Sequence, residues 1–280
     1  MERHQIGTVQ TLFRYPVKSM QGERLREVEI GARGVIGDRA YALRQANGRV
    51  MTAKKWPTLL ECSARYEAPP TPGALAPLSI TLPDGRTLQA QDPDVSTALS
   101  AVLGCQVVLV PAQADRQSQA EIDPAMVFGD VPVEVVKPGF TAATLPDAFA
   151  LPAGTFFDAA SIHVVATGTL AHLRALIGAD APLDPRRFRP NIVVETAPGV
   201  EGFVEDRWLE GGLAVGDDVK IVQLRPTLRC VMTTHSQADL ERDLRILRTA
   251  AQHHRNQVGV WASVGEEGTV RVGDPVVLVR

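Results

Sequence analysis

The chain has 280 residues, 45% hydrophobic and 22% charged, a balance that buries a sizeable core and excludes a disordered polymer. Its formal net charge of -3 argues against a broad nucleic-acid-binding face, so any anion site has to be a local cluster. Three scattered cysteines, Cys62, Cys105 and Cys230, make neither an even disulfide set nor a CxxC pair. That points to a reducing compartment, the cytoplasm, and against a zinc ribbon or an iron–sulfur cluster built from this chain alone.

No apolar run at the start suggests a signal peptide, and no stretch of about 20 apolar residues suggests a membrane span. The first third reads as β-structure. Residues 6–15 are strand-like and stop at Pro16, and Val28 and Ile30 alternate onto one face. Asn47-Gly48 between Tyr41–Leu43 and Val50–Thr52, and Asp84-Gly85 between Ser79–Leu82 and Thr87–Gln89, are hairpin signals. Short strands joined by such turns predict a small N-terminal barrel over residues 1–115, with a helix at 95–103 before a strand at 106–110.

Residues 116–154 carry Pro124, Pro132, Pro138, Pro146 and Pro152 and read as a connecting excursion, a lid for example. From 155 to 280 the pattern sharpens into a second β-rich domain. Ser161–Ala166 is an apolar strand; Leu170, Leu173 and Ile177 then recur at helical spacing before Gly178. A strand at 192–195, a hairpin at 213–224, an amphipathic helix from Asp239 to His253 and three short strands from 258 onward complete it. The fold class is mainly β with α: two barrel-like domains with peripheral helices.

Four stretches carry chemistry-bearing side chains. Cys230 follows Arg229 in a loop after a strand, and a neighbouring cation favours the thiolate that ligates metal. The alternative is a buried, inert cysteine. Arg186-Arg187-Phe188-Arg189-Pro190-Asn191 leads into a strand; its arginines either grip phosphate or carboxylate or pair with Asp180 and Asp184 at the surface. Tyr15-Pro16-Val17-Lys18-Ser19 and Gly37-Asp38-Arg39 each place a cation at the end of an element. His163 reads as a packed core histidine, and His253-His254 as favourable charge at a helix end. No GxSxG, HExxH, P-loop or GxGxxG occurs, which removes the commonest hydrolase, kinase and dinucleotide readings.

Together these stretches resemble the MOSC family with its N-terminal β-barrel domain. The matching segments are Tyr-Pro-Val-Lys-Ser at 15–19, Gly-Asp-Arg at 37–39, Phe-Phe-Asp at 156–158, Phe-Arg-Pro-Asn-Ile at 188–192, Arg-Cys-Val-Met-Thr-Thr at 229–234 and Val-Gly-Asp-Pro-Val at 272–276. They run in the family's order. The likeness is to the amidoxime-reducing type and to bacterial reductases of N-hydroxylated compounds. It implies a molybdenum cofactor (Mo-molybdopterin) between the two domains, with Cys230 as metal ligand and catalytic residue. It implies cofactor contacts at Lys18, Ser19, Arg39, Phe157, Asp158, Arg189, Asn191 and Arg229. A small N-oxygenated substrate and a separate electron-donor protein of ferredoxin or flavin-reductase type are the implied partners, with no nucleic acid and no membrane. The chain departs from that type in having no N-terminal anchor, no fused ferredoxin domain, His235 after the paired threonines and the Pro-rich excursion. Sulfur transfer through a persulfide on Cys230, or non-catalytic carriage of the cofactor, are the other readings.

Overall fold

Seven strands hydrogen-bond into a closed ring in the computed structural model, which describes residues 2–280. The order around the ring is Ile192–Thr196, Ile162–Ala166, Gln257–Glu266, Val219–Leu228, Gly212–Val215, Pro275–Val279 and Arg3–Arg14, which returns to Ile192–Thr196. All pairs are antiparallel except Ile162–Ala166 with Ile192–Thr196, the two strands joined through the helix Thr167–Ile177. That pair must be parallel because a helical crossover returns the chain to the same end of the sheet. The interior is filled by Val9, Leu12, Ile162, Val164, Ile192, Val194, Ile221 and their neighbours. Each such side chain withdrawn from water contributes roughly 1.5–3 kcal/mol.

The N-terminal strand therefore belongs to the C-terminal barrel. Gly7 to Leu12 pair with Ile192 to Thr196, and Arg3 to Thr8 pair with Pro275 to Val279. Glu27–Gly31 likewise pairs with Gly268–Arg271. The sequence assigns residues 1–115 to the first domain, yet Arg3–Arg14 and Glu27–Gly31 pair with strands of the second. The alternating pattern showed that 6–15 is a strand and gave no sign of its partners.

The rest of the N-terminal part builds a separate core from Tyr41–Gln45 with Val107–Pro111, and from Ser63–Tyr66, Leu78–Thr81 and Thr87–Gln89. Leu43, Met51, Leu59, Leu60, Leu78, Ile80 and Leu99 fill it. The Asp84-Gly85 hairpin forms as expected. The Asn47-Gly48 turn also forms, but its return arm pairs with Tyr41–Gln45 only at Val50, which then bridges to Ala120. The excursion is structured: Gln119–Glu121 pairs with Ala148–Ala150, and Ile122, Val127, Phe128, Val131, Val133, Val136 and Leu145 pack on Leu247. The helix expected from Asp239 begins only at Arg245 and runs to His254. Asp243 takes the Arg245 amide on its carboxylate, a local bond that competes with continuing the helix upstream. Among the described residues no helix is long and apolar enough to cross a membrane.

Candidate functional site

The turn after the first strand carries Lys18 and Ser19 into a cleft between the two cores, holding about 750 Å³ including its open mouth. All nine residues expected at the site line it: Lys18, Ser19, Arg39, Phe157, Asp158, Arg189, Asn191, Arg229 and Cys230. Three of them, Ser19, Arg39 and Arg189, hold left-handed backbone with φ of 68°, 47° and 54°. Side-chain-bearing residues rarely adopt that region, and such conformations gather where a site demands them.

Lys18 donates to the Phe156 carbonyl at 2.7 Å and pairs with Asp158, which also accepts from Lys54 at 2.8 Å. Burial lowers the Lys18 ammonium to about 8, since loss of hydration outweighs the attraction of Asp158 while Lys54 and Arg39 push the same way. Burial alone would raise the Asp158 carboxyl, but Lys18 and Lys54 overcome it and hold that group well below the usual carboxylate range. The Ser19 hydroxyl accepts the Ala53 amide at 3.0 Å, leaving its O–H to donate elsewhere.

Gly-Asp-Arg at 37–39 is a joint. Asp38 accepts from the Tyr15 amide at 2.7 Å, from Asn191 Nδ2 at 2.9 Å and from Arg39. Gly37, at φ 81°, leaves room for the Tyr66 ring and Pro70: a Cβ there would lie 2.7 Å from each. Arg39 donates to the Arg189 carbonyl at 3.2 Å, and Arg189 donates to the Met20 carbonyl at 2.6 Å. One terminal nitrogen of Arg189, Nη2, is buried without a partner.

Two expected contacts turn their polar atoms toward the protein. Asn191 Oδ1 accepts the His163 amide at 3.1 Å and its Nδ2 donates to Asp38, so its amide ties the head of Ile192–Thr196 to Ile162–Ala166 and to the Gly-Asp-Arg turn. Arg229 donates to the carbonyls of Val258 at 2.8 Å and Phe188 at 3.1 Å and meets His163 Nε2. Burial works against its charge, and the nearby Cys230 works for it. His163 is buried as expected of a core histidine, yet its ring also lines the cleft. Of the remaining arginines in that run, Arg186 pairs with Asp184 and Asp239 at the surface, the bland alternative. Arg187 is buried against backbone carbonyls. His254 pairs with Asp206 and stacks on Phe203.

Cys230 heads the short turn Val231–Thr234, whose Thr233 hydroxyl donates to the Cys230 carbonyl at 3.1 Å. Its thiol is pushed up by burial, against the pull of Lys54, the Met232 amide and Arg229. Arg229 favours thiolate, as a neighbouring cation does, but burial prevails, and the stronger cation opposing it is Lys54. Lys54 escaped the sequence reading. Its only signal was a Lys-Lys pair soon after the Asn47-Gly48 turn.

Residues 6–120 match the family described as the MOSC N-terminal beta barrel domain, and residues 152–277 match the MOSC domain. The chain belongs to the MOSC family. This MOSC chain is similar over most of its length to proteins named amidoxime-reducing component. Mitochondrial amidoxime-reducing component 1 of Mus musculus is 26% identical over 98% of this chain and 83% of its own. Mitochondrial amidoxime-reducing component 1 of Homo sapiens is 25% identical over 98% and 84%, and component 2 of Homo sapiens 26% over 97% and 83%.

The family implies a molybdenum-bearing pterin, and the donor set fits one. Among the described residues no group of three or more His, Cys, Asp or Glu side chains comes together to hold a bare metal. A lone cysteine sulfur suits a metal that arrives with sulfur ligands of its own. Lys18, Lys54, Arg39, Arg189 and Arg229 outnumber Asp38 and Asp158 around the cleft, and the unpartnered Arg189 Nη2 is an open donor for an anionic group.

Proposed function

We propose that this protein is a molybdenum-cofactor-dependent oxidoreductase that reduces small N-hydroxylated or N-oxygenated compounds. The observation that carries the reading is convergence: cations from both halves of the chain and the thiol of Cys230 line one cleft. The names of the amidoxime-reducing relatives supply the substrate class.

In this reading Cys230 is the protein's ligand to the metal. Lys18, Arg39 and Arg189 offset the charge of the cofactor, and Ser19 and Arg189 Nη2 donate hydrogen bonds to it. Phe157 and Asp158 border it, Asn191 fixes Asp38 beneath Arg39, and Arg229 braces the strand ends that present Cys230. When bound, such a group supplies two-electron removal of oxygen from nitrogen. The substrate N–OH takes up two electrons and two protons and leaves as N–H and water. Electrons come from a separate redox protein of ferredoxin or flavin-reductase type. Three free cysteines suit a reducing compartment, and we place the protein in the cytoplasm.

Elemental analysis of freshly purified protein, with pterin fluorescence after oxidation, tests this directly. About one molybdenum and one pterin per chain, and loss of N-reduction in Cys230→Ser with an artificial electron donor, are the expected results. A metal-free protein carrying one extra sulfur on Cys230 would favour persulfide transfer instead, and full activity in Cys230→Ser would remove the assigned ligand.

A further inference from the structure

Arg39 and Arg189 stand 150 positions apart in the chain, yet the guanidinium carbons of both lie over the ring of Tyr15, at 4.5 Å and 4.2 Å from its centre. Two like charges gathered at one point repel each other, and burial deprives them of the water that would screen them. Something has to hold them together, and the negative face of an aromatic ring attracts such cations. Tyr15 is itself immobile. Its amide donates to Asp38 at 2.7 Å, its carbonyl accepts the Arg39 amide at 2.7 Å, and Phe13 stacks beside it with centroids 6.1 Å apart. The Tyr15 side chain does not border the cleft, so it reaches any ligand there only through the two arginines.

The hydroxyl does not explain the residue. Tyr15 is 2% exposed and its hydroxyl oxygen is buried without a hydrogen-bond partner. A buried, unmade hydrogen bond costs stability, so the hydroxyl is no reason for this side chain to stand here. The ring face is what the surroundings use. Arg39 gives one N–H to Asp38 and one to the Arg189 carbonyl, Arg189 gives one to Met20, and Arg189 Nη2 is left open.

We propose that Tyr15 is a positioning residue whose ring face holds Arg39 and Arg189 together as a paired grip for a doubly charged tetrahedral anion, the phosphate-like end of whatever the cleft binds. The identity of that occupant rests on the molybdenum-cofactor reading; the grip itself does not. The test therefore uses the full-length chain freed of cofactor, with sulfate as the probe, because sulfate keeps its charge across the working pH range.

Sulfate affinity is measured by calorimetry for the unaltered chain, Tyr15→Phe, Tyr15→Leu and a chain with pentafluorophenylalanine at position 15. The fluorinated ring keeps the aromatic shape and reverses the charge of its face. Tyr15→Phe is expected to bind within about two-fold of the unaltered chain. The Leu and pentafluorophenylalanine variants should bind about ten-fold more weakly, which corresponds to roughly 1.4 kcal/mol. The fluorinated variant keeps the test decisive if the cavity left by Leu prevents folding. Equal weakening of Phe and Leu would assign the role to the hydroxyl and overturn the proposal. So would a fluorinated variant that binds like Phe, or an unaltered chain that does not bind sulfate. Molybdenum content is scored separately, so a failed cofactor reading and a failed grip are told apart.

Discussion

Lys18 and Asp158, 140 positions apart, form an ion pair at the seam between the two cores. Asp158 also takes Lys54, so one carboxylate answers two ammonium groups while Arg39, Arg189 and Arg229 gather nearby. The cleft is left with excess positive charge, held partly in check by Asp158 and by Asp38, which pairs with Arg39.

That balance makes anion binding depend on pH. Loss of hydration lowers Lys18 to about 8, and a bound anion favours the protonated form. Sulfate affinity should therefore be full below about pH 8 and decline as pH rises above it. Calorimetry from pH 6.5 to 9.5 reads this directly, and a flat profile would contradict it. For stability the sign runs the other way: the folded chain holds fewer protons on Lys18 than the unfolded chain between about 8 and the ordinary 10.5, so this group's contribution grows as pH rises through that window.

Asp158→Asn removes the carboxylate that occupies Lys18 and Lys54. With the competing carboxylate gone, sulfate should bind several-fold more tightly at pH 6 than to the unaltered chain, and the gain should shrink as pH rises, because Asp158 also helps keep Lys18 protonated. The melting temperature should fall, because Lys18 is left buried with only the Phe156 carbonyl. Unchanged sulfate affinity would show that Asp158 does not compete with the anion.

Arg187 donates to the carbonyls of Pro182, His235 and Glu241 and touches that of Thr233 at 3.4 Å, so it ties down the turn that follows Cys230. Arg187→Met strands those buried acceptors and should cost roughly 3 kcal/mol in denaturant unfolding. Cys230 should also become more accessible to iodoacetamide under native conditions. A loss of stability with no change in alkylation rate would confine Arg187 to general packing.

Gly37→Ala meets two objections at once: a φ of 81° and a Cβ 2.7 Å from both Pro70 and Tyr66. It should destabilise by about 2–3 kcal/mol and displace Asp38 from Tyr15 and Asn191. Thermal unfolding measures the first effect and sulfate affinity the second.

Much of this was legible in the sequence where the signal is local. The helix ending at Gly178, the hairpin at Asp84-Gly85 and the strands after residue 257 follow from spacing and turn chemistry. The residues carried over from the family resemblance all reach one cleft because their motifs sit at element ends, where chains turn. Roles fixed by distant partners were not legible. Nothing near Asn191 shows that its amide is spent on Asp38 and the His163 backbone, and nothing near Arg229 shows that it serves the Val258 and Phe188 carbonyls. Lys54 stayed hidden because it pairs across 104 positions with Asp158.

The strand Arg3–Arg14 is made long before Pro275–Val279, its neighbour in the ring, so that ladder is completed late. Until then its edge stays open and the ring has a gap. A chain stalled before residue 275 has nothing to pair with that edge, however well its earlier segments have folded. Until that partner emerges, the nascent chain carries an unpaired β-edge open to pairing with other chains.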